Sequence, residues 1–332
     1  MKIVFFEVHD WEIPVLKKGL NEDLSFYSDE LKMENVNKAR EADAISVFVY
    51  SKINKEVLDK LPNLKFITTR SMGFDHIDLC ECKKRGIKVS TAPHYGDNSV
   101  AEHTMGLILS ISRNIHKAYL RTVNKNYSIE GLKGFDLKGK TLGVIGTGRI
   151  GSHVVRMASG FEMNILAYDC RQNKELKGMC KYVSMDKLLK DSDIITLHVP
   201  YCPENHHLIG SNEFGKMKRG AIVINTSRGP IVNTKTMLSA LKSGKIGGAG
   251  IDVLEGEELI KEEKELLHDV KKLDLKKMRQ LALDHELLND EKVVFTPHIA
   301  FYSQEAVMRI LEVTIENLIA FGKNKPINII GW

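Results

Sequence analysis

The sequence predicts an α/β protein made of two doubly wound domains, each built on a parallel sheet. Three observations carry that prediction. Short β-branched apolar runs alternate with amphipathic stretches from residue 2 to residue 93. Six further runs of the same kind follow between residues 140 and 298. One of these, TLGVIG, leads into a glycine-rich turn and then a helical run. Apolar strands that alternate with helical segments imply a parallel sheet covered on both faces.

The elements follow in chain order. KIVFFEV (2–8), AISVFVY (44–50), KFITTRS (65–71) and KVSTAP (88–93) read as strands. NKEVLDKLPNL (54–64) and DLCECKKRG (78–86) read as helices between them. The stretch 97–123, with Asp97, Asn98 and Ser99 as N-cap candidates, reads as one long helix into a second domain. That domain carries KTLGVIG (140–146), NILAYD (164–169), SDIITLHV (192–199), AIVINTS (221–227), GGAGIDV (247–253) and KVVFTPH (292–298). Six strands with helices between them predict a doubly wound sheet. Residues 303–321 read as a closing helix. Residues 256–291 form a long charged excursion with leucines, expected as one or two surface helices.

Bulk properties narrow the function classes. A chain of 332 residues suggests two domains. It has 43% hydrophobic and 27% charged residues, the balance of a soluble globular protein. The net charge of +5 comes from 48 basic and 43 acidic residues. The lysines fall in short pairs such as Lys17-Lys18, Lys83-Lys84 and Lys276-Lys277, which read as solvated faces rather than a nucleic-acid surface. No uncharged run approaches the roughly 18 residues of a membrane span. The start, MKIVFFEVHD, reads as a first strand rather than an export signal. Five scattered cysteines, Cys80, Cys82, Cys170, Cys180 and Cys202, fit a reducing cytoplasm. Only Cys80 and Cys82 are close, with no second pair at zinc spacing, so no metal site is expected.

TLGVIGTGRIG places Gly146, Gly148 and Gly151 in G-x-G-x-x-G spacing between a strand and a helix. The first glycine permits the tight turn, the second a close approach of pyrophosphate, and the third close helix–strand packing. The helix start would then face phosphates with its amides. Asp169 ends the next predicted strand, where a carboxylate would accept from ribose hydroxyls and repel a 2′-phosphate. This favours NAD over NADP, although Arg171 could soften the preference.

Three polar residues sit just past strands of the same domain. Arg228 follows AIVINTS and is suited to a small carboxylate. Glu257 follows GGAGIDV, and His298 ends KVVFTPH. Strand C-termini of one open sheet share a crevice, so these groups can converge there.

GTGRIG, SDIITLHVPYCPENHHLIG, KMKRGAIVINTSRGPIVN, GIDVLEGEE and TPHIAFY together resemble the D-isomer-specific 2-hydroxyacid dehydrogenases, most closely their D-lactate branch. TRSMGFDHID (69–78) and APHYGDNSVAEHT (92–104) extend the resemblance over essentially the whole chain. It implies a flavodoxin-like substrate domain, residues 1–98 and 299–332, with a Rossmann NAD-binding domain, residues 99–298, inserted into it. It makes Arg228, Glu257 and His298 the catalytic trio. It assigns Met72, Gly73, Tyr95, Phe301 and Tyr302 to the substrate. To the cofactor, besides the three glycines and Asp169, it assigns Arg149, Ile150, His198, Val199, Pro200, Thr226, Ser227, Asp252 and Ala300. Asp252 would meet the nicotinamide carboxamide. The chain departs from the usual pattern at Asn233, where the effect is expected on a helix cap alone.

The implied chemistry is reversible reduction of a 2-keto acid by NADH. His298 would donate a proton to the keto oxygen, Glu257 would orient the imidazole and favour its charged form, and Arg228 would pair the substrate carboxylate. Pyruvate and D-lactate are the expected pair. A branched keto acid, glyoxylate or hydroxypyruvate fits the same machinery, and an NADH-sensing corepressor-like protein is the alternative of another class. The resemblance also implies a cytoplasmic homodimer, with the apolar stretch 99–115 as a contributor or, equally, buried within its own chain.

Overall fold

Strands β1 (Lys2–Phe5), β2 (Asp23–Phe26), β3 (Ala44–Val47), β4 (Phe66–Thr69) and β5 (Lys88–Ser90) form an all-parallel sheet in the order β2-β1-β3-β4-β5. This is the flavodoxin-like order. The computed structural model describes residues 1–261 and 275–331. The chain divides into two compact units, Met1–Tyr95 with Ser303–Trp332, and Gly96–Tyr302. The second is therefore an insertion into the first. Its seven strands are β6 (Thr141–Ile145), β7 (Asn164–Tyr168), β8 (Lys181–Tyr182), β9 (Ile194–Leu197), β10 (Ala221–Asn225), β11 (Ile246–Ile251) and β12 (Val293–Phe295). Their order, β12-β11-β10-β9-β6-β7-β8, is doubly wound, with the reversal at β6 and β9. The predicted fold class holds in both units.

Alternation explains why these strands are apolar at nearly every position. In the first unit, Ile3, Phe5, Ala44 and Phe66 pack on one face with Leu16, Leu311 and Leu318. Val4, Ile45, Val47, Ile67 and Val89 pack on the other with Val57, Leu58 and Cys82. Successive side chains of a strand point to opposite faces, so both must be apolar when both are covered. The second sheet repeats the arrangement. Leu142, Val144, Ile194, Ile222 and Ile224 face one core, and Ile145, Ile195, Leu197 and Val223 face the other.

Three expectations are corrected, and of the two readings of 99–115 burial within its own chain holds. The stretch 97–123 is two helices, Asp97–Ser112 and Ile115–Val123, because Asn114 takes a left-handed conformation at φ 51°. Asparagine tolerates that region better than most residues. The apolarity of 99–115 is explained within its own unit. Ala101, Met105, Leu107, Ile108 and Ile111 are buried on the β-sheet, and glycines admit them: a Cβ on Gly250 would lie 3.0 Å from Leu107 and 3.1 Å from Ile111. The second sheet has seven strands, not six, since the two-residue β8 joins its edge. The first sheet also has an extra edge strand, β2, whose DLSF sequence is at most half-buried and shows no apolar run. Of the 256–291 excursion, helices Glu257–Lys261 and Leu275–Leu288 are seen, and the intervening part lies outside the described residues.

Candidate active site

The glycine turn follows β6. Gly146 has φ 92°, and a Cβ there would lie 2.5 Å from the His198 carbonyl oxygen. Only glycine fits on both counts. A Cβ on Gly151 would meet the Gly146 carbonyl oxygen at 2.0 Å, so the helix Arg149–Gly160 lies directly against the turn. Gly148 caps that helix without any side-chain bond, and a Cβ there would enter open space. The turn thus offers uncapped amides at a helix start beside an unfilled cradle, which fits a pyrophosphate. Arg149 at that start is ion-paired through Nε with Asp97, and Ile150 packs into the core.

Asp169 stands immediately after β7. Its Oδ2 accepts from the Thr147 amide at 2.6 Å and from the Thr147 hydroxyl at 3.1 Å, and its Oδ1 accepts from the Arg171 amide at 2.9 Å. The carboxylate therefore shapes the glycine turn itself. A carboxylate has about four acceptor sites, so ribose hydroxyls can still be accepted. Tyr182 of β8 was missed by sequence reasoning. Its hydroxyl donates to Thr147 Oγ1 at 2.9 Å and accepts from the Asn173 amide at 2.8 Å. A two-residue strand leaves no sequence signal for it.

His198, Val199 and Pro200 follow β9. Burial pushes the His198 imidazole down to about 3, so the ring is neutral. Its Nε2 meets Thr196 Oγ1 at 2.9 Å, and its buried Nδ1 has no hydrogen-bond partner. An orphaned ring nitrogen beside the glycine turn is a second observation that fits a bound cofactor. Thr226 and Ser227 follow β10, paired with Thr104 Oγ1 at 2.9 Å and with the Leu197 carbonyl at 2.5 Å.

Three loops present the predicted reacting groups. Arg228 follows a turn that Asn225 shapes by accepting from the Ser227 amide and donating to the Arg228 carbonyl, both at 3.0 Å. The Arg228 guanidinium donates through Nη1 to the Ser227 carbonyl at 2.8 Å. His298 has φ 56°, a region that costs a non-glycine residue energy. Asp252 holds it there. The buried carboxylate accepts from Thr296 Oγ1 at 2.5 Å, from the Ile299 amide at 3.0 Å and from the Ala300 amide at 2.9 Å. The Asp252 carbonyl accepts from the His298 amide at 2.9 Å. Asp252 thus anchors the histidine loop, whatever it also meets on a cofactor. His103 reaches the same cluster, with Nε2 2.9 Å from Thr296 Oγ1.

The pair at the centre is close. His298 Nδ1 lies 3.0 Å and 3.1 Å from the two carboxylate oxygens of Glu257. The residues are 41 positions apart and are brought together by β11 and β12, which are neighbours. With Nδ1 engaged, Nε2 is the nitrogen that can exchange a proton. Phe301 and Tyr302 follow on the same loop with ring centroids 5.7 Å apart.

Met72, Gly73 and Tyr95 belong to the first unit. Met72 and Gly73 follow β4 in a tight turn, where Ser71 Oγ donates to the Gly73 carbonyl at 2.6 Å. Buried Arg70, also unsignalled by the sequence, steadies that turn by donating to the carbonyls of Phe6 at 2.8 Å and Glu7 at 2.6 Å. The Tyr95 carbonyl accepts from Arg309 Nε at 2.9 Å. Asn233 caps the helix Thr234–Lys242 as expected, but its amide also meets His207 Nδ1 at 3.0 Å.

Comparison with known proteins gives a consistent picture. The family described as D-isomer specific 2-hydroxyacid dehydrogenase, NAD binding domain, matches residues 105–300. D-lactate dehydrogenase of Escherichia coli is 37% identical, over 96% of both chains. The aromatic 2-oxoacid reductase of Clostridium sporogenes is also 37% identical, over 97% of this chain and 96% of that protein. Among solved structures, D-lactate dehydrogenase from Aquifex aeolicus, complexed with NAD and lactic acid, superposes with a TM-score of 0.85 at 39% identity. That match covers 98% of this chain and 96% of the other.

Proposed function

Because the chain belongs to the D-isomer specific 2-hydroxyacid dehydrogenases and is an NAD-linked oxidoreductase of that class, we propose that it interconverts pyruvate and D-lactate through Arg228, Glu257 and His298. The observation that carries the assignment is the imidazole–carboxylate contact of 3.0–3.1 Å at His298 Nδ1. When bound, the reduced nicotinamide supplies the hydride accepted by the keto carbon. As charge develops on the keto oxygen, His298 donates the proton from Nε2, and in the reverse direction Nε2 takes it back. Glu257 holds the ring in orientation and balances the imidazolium. Arg228 pairs with the substrate carboxylate. Asp252 keeps the histidine loop in its strained conformation, so the ring does not reorganise during the reaction. The glycine turn and Asp169 would hold the pyrophosphate and adenosine ribose. Met72, Gly73 and Tyr95 are assigned to the substrate on their sequence motifs.

Pyruvate is favoured by the two D-lactate dehydrogenases at 37% and 39% identity. The aromatic 2-oxoacid reductase, equally similar to the former, supports a second reading with a larger aromatic keto acid. NADH oxidation measured with pyruvate, phenylpyruvate, a branched 2-keto acid, glyoxylate and hydroxypyruvate decides between them. The highest kcat/KM is expected with pyruvate and a D product. A maximum with phenylpyruvate moves the assignment to the aromatic class, and an L product or no turnover sinks it.

We further assign the protein to the cytoplasm as a homodimer. Its five cysteines are free thiols, and among the described residues no helix is long and apolar enough to cross a membrane. Helix Ile115–Val123 and the segment after it expose Ile115, Tyr119, Leu120, Val123, Tyr127 and Ile129, between 52% and 86%. An apolar face of that kind suits an interface. Sedimentation equilibrium is expected to give twice the chain mass.

A further inference from the structure

Glu255 stands two residues before Glu257, and its partners are unlike those of Glu257. Oε1 accepts from His207 Nε2 at 2.6 Å. Oε2 accepts from the Thr234 amide at 3.3 Å and the Thr234 hydroxyl at 3.1 Å. Thr234 opens the helix Thr234–Lys242, whose positive end favours a carboxylate.

The backbone around Glu255 is closely packed. A Cβ on Gly229 would lie 2.0 Å from the Leu254 carbonyl and 2.4 Å from the Glu255 amide nitrogen. The turn that presents Arg228 therefore rests directly on the loop that presents Glu257. The His207 amide donates to the Pro230 carbonyl at 2.8 Å, which seats a third segment on the same turn. Gly256 is filled from the other side. A Cβ there would lie 2.4 Å from Asp284 Oδ2 and 2.7 Å from Gln280 Cγ, both on helix Leu275–Leu288. Gln280 Nε2 closes the circuit by donating to Asp284 Oδ1 at 2.9 Å and Thr234 Oγ1 at 3.4 Å.

The hydrogen bonds also fix the tautomer of His207. Asn233 Oδ1 accepts from the Thr236 amide at 2.9 Å, so its Nδ2 is the atom 3.0 Å from His207 Nδ1. Nδ1 must then accept, and the ring proton sits on Nε2, aimed at Glu255. This matters because donor atoms of His206, His207 and Glu255 lie within 4.8 Å of one another, close enough for one metal ion. A protonated Nε2 has no lone pair to give a metal, so the arrangement is that of a clamp.

We propose that Glu255, held by His207 and Thr234, is a positioning residue for the reaction, fixing the loop 254–257 so that Glu257 meets His298. The proposal rests on the reading of Glu257 and His298 as the acid–base pair. It also gives the return helix of the charged excursion a role, as the wall behind Gly256.

The test uses the full chain with Glu255→Ala, His207→Ala, His207→Gln and, as the reference, Glu257→Gln. Each is measured for kcat and KM with its preferred keto acid, NADH affinity by fluorescence, and the pH–rate profile. Glu255→Ala and His207→Ala are expected to lose up to about 10²-fold in kcat, as misplacement of a reacting group does. They should keep the parent NADH affinity and move the pH profile in the same direction as Glu257→Gln. His207→Gln, which retains a donor toward Glu255, should recover most of the loss. Where alanine prevents folding, Glu255→Gln, with the same shape but no charge, takes its place under the same expectations.

An unchanged kcat and pH profile in Glu255→Ala overturns the proposal. So does a loss of kcat, NADH affinity and melting temperature in step, which marks general loosening. Restoration of chelator-treated parent enzyme by zinc alone overturns it in favour of a metal site. If Glu257→Gln leaves the profile unmoved, the acid–base reading fails instead. If Glu257→Gln moves it and Glu255→Ala does not, the clamp alone fails.

Discussion

Glu255 and Glu257, two residues apart, each pair with a histidine from a different segment, and the two pairs differ in what holds the ring. His207 is engaged at both nitrogens, by Asn233 and by Glu255. His298 is engaged at Nδ1 by Glu257, on a backbone that Asp252 keeps at φ 56°. A ring bonded at both nitrogens is a structural strut. A ring oriented through one nitrogen, on an over-determined backbone, has its other nitrogen available for chemistry. Residue type and pairing distance do not separate the two; the second nitrogen does.

The largest effect that could break this comparison is at His298. His298→Asn should lower kcat by about 10²–10⁴-fold, the usual worth of general acid–base catalysis, with NADH binding retained. His207→Asn should fall well short of that, and equal losses would erase the distinction. Next is Arg228. Arg228→Leu should cost about 2–5 kcal/mol in kcat/KM if its charge meets the substrate carboxylate away from water. A loss confined to NADH affinity would reassign it. Glu257→Gln sharpens the contrast further. Without the carboxylate the ring loses the group that orients it, so turnover should fall and the pH–rate profile should change, with NADH binding retained. A pH–rate series with saturating NADH reads this directly.

The smallest effect is on stability, at the wall behind the loop. Burial pushes the Asp284 carboxyl up to about 6. A raised carboxyl binds its proton more tightly in the folded chain, so its stabilising contribution is complete below about 4 and is lost as pH rises through about 6. Asp284→Asn should therefore match the parent in acid and exceed it by about 1–3 kcal/mol at pH 8. Urea unfolding at the two pH values checks this, and equal stability at pH 8 would show the carboxyl to be unstrained.

What was legible in the sequence was what is contiguous. Gly146, Gly148 and Gly151 lie in one strand–turn–helix, and their packing demands are met within that stretch or by the adjacent strand end at His198. The contact of His298 with Glu257 could be anticipated because both residues follow strands with strong apolar runs, as does Arg228. The contacts that hold the trio could not. Asp252 reaches amides 47 and 48 residues away, and Glu255 reaches a histidine 48 residues away. Nothing local marks such pairings. The half-buried edge strand β2 and the two-residue β8 escaped for a different reason, since neither buries enough to need an apolar run. The break at Asn114 was hidden because helical periodicity resumes after one left-handed residue.

The split of the first unit into Met1–Tyr95 and Ser303–Trp332 has a consequence for synthesis on the ribosome. One face of its sheet, with Ile3, Phe5 and Phe66, is closed by Leu311 and Leu318 of helix Gln304–Gly322, and Phe66 stacks on Phe321 at 4.3 Å. Those residues emerge only after the whole inserted unit has been translated. The earliest part of the nascent chain must therefore wait, its oily face covered only in part by Leu16 and Leu20, while the later and contiguous part completes itself first. In this molecule the usual order of amino-terminal maturation is reversed.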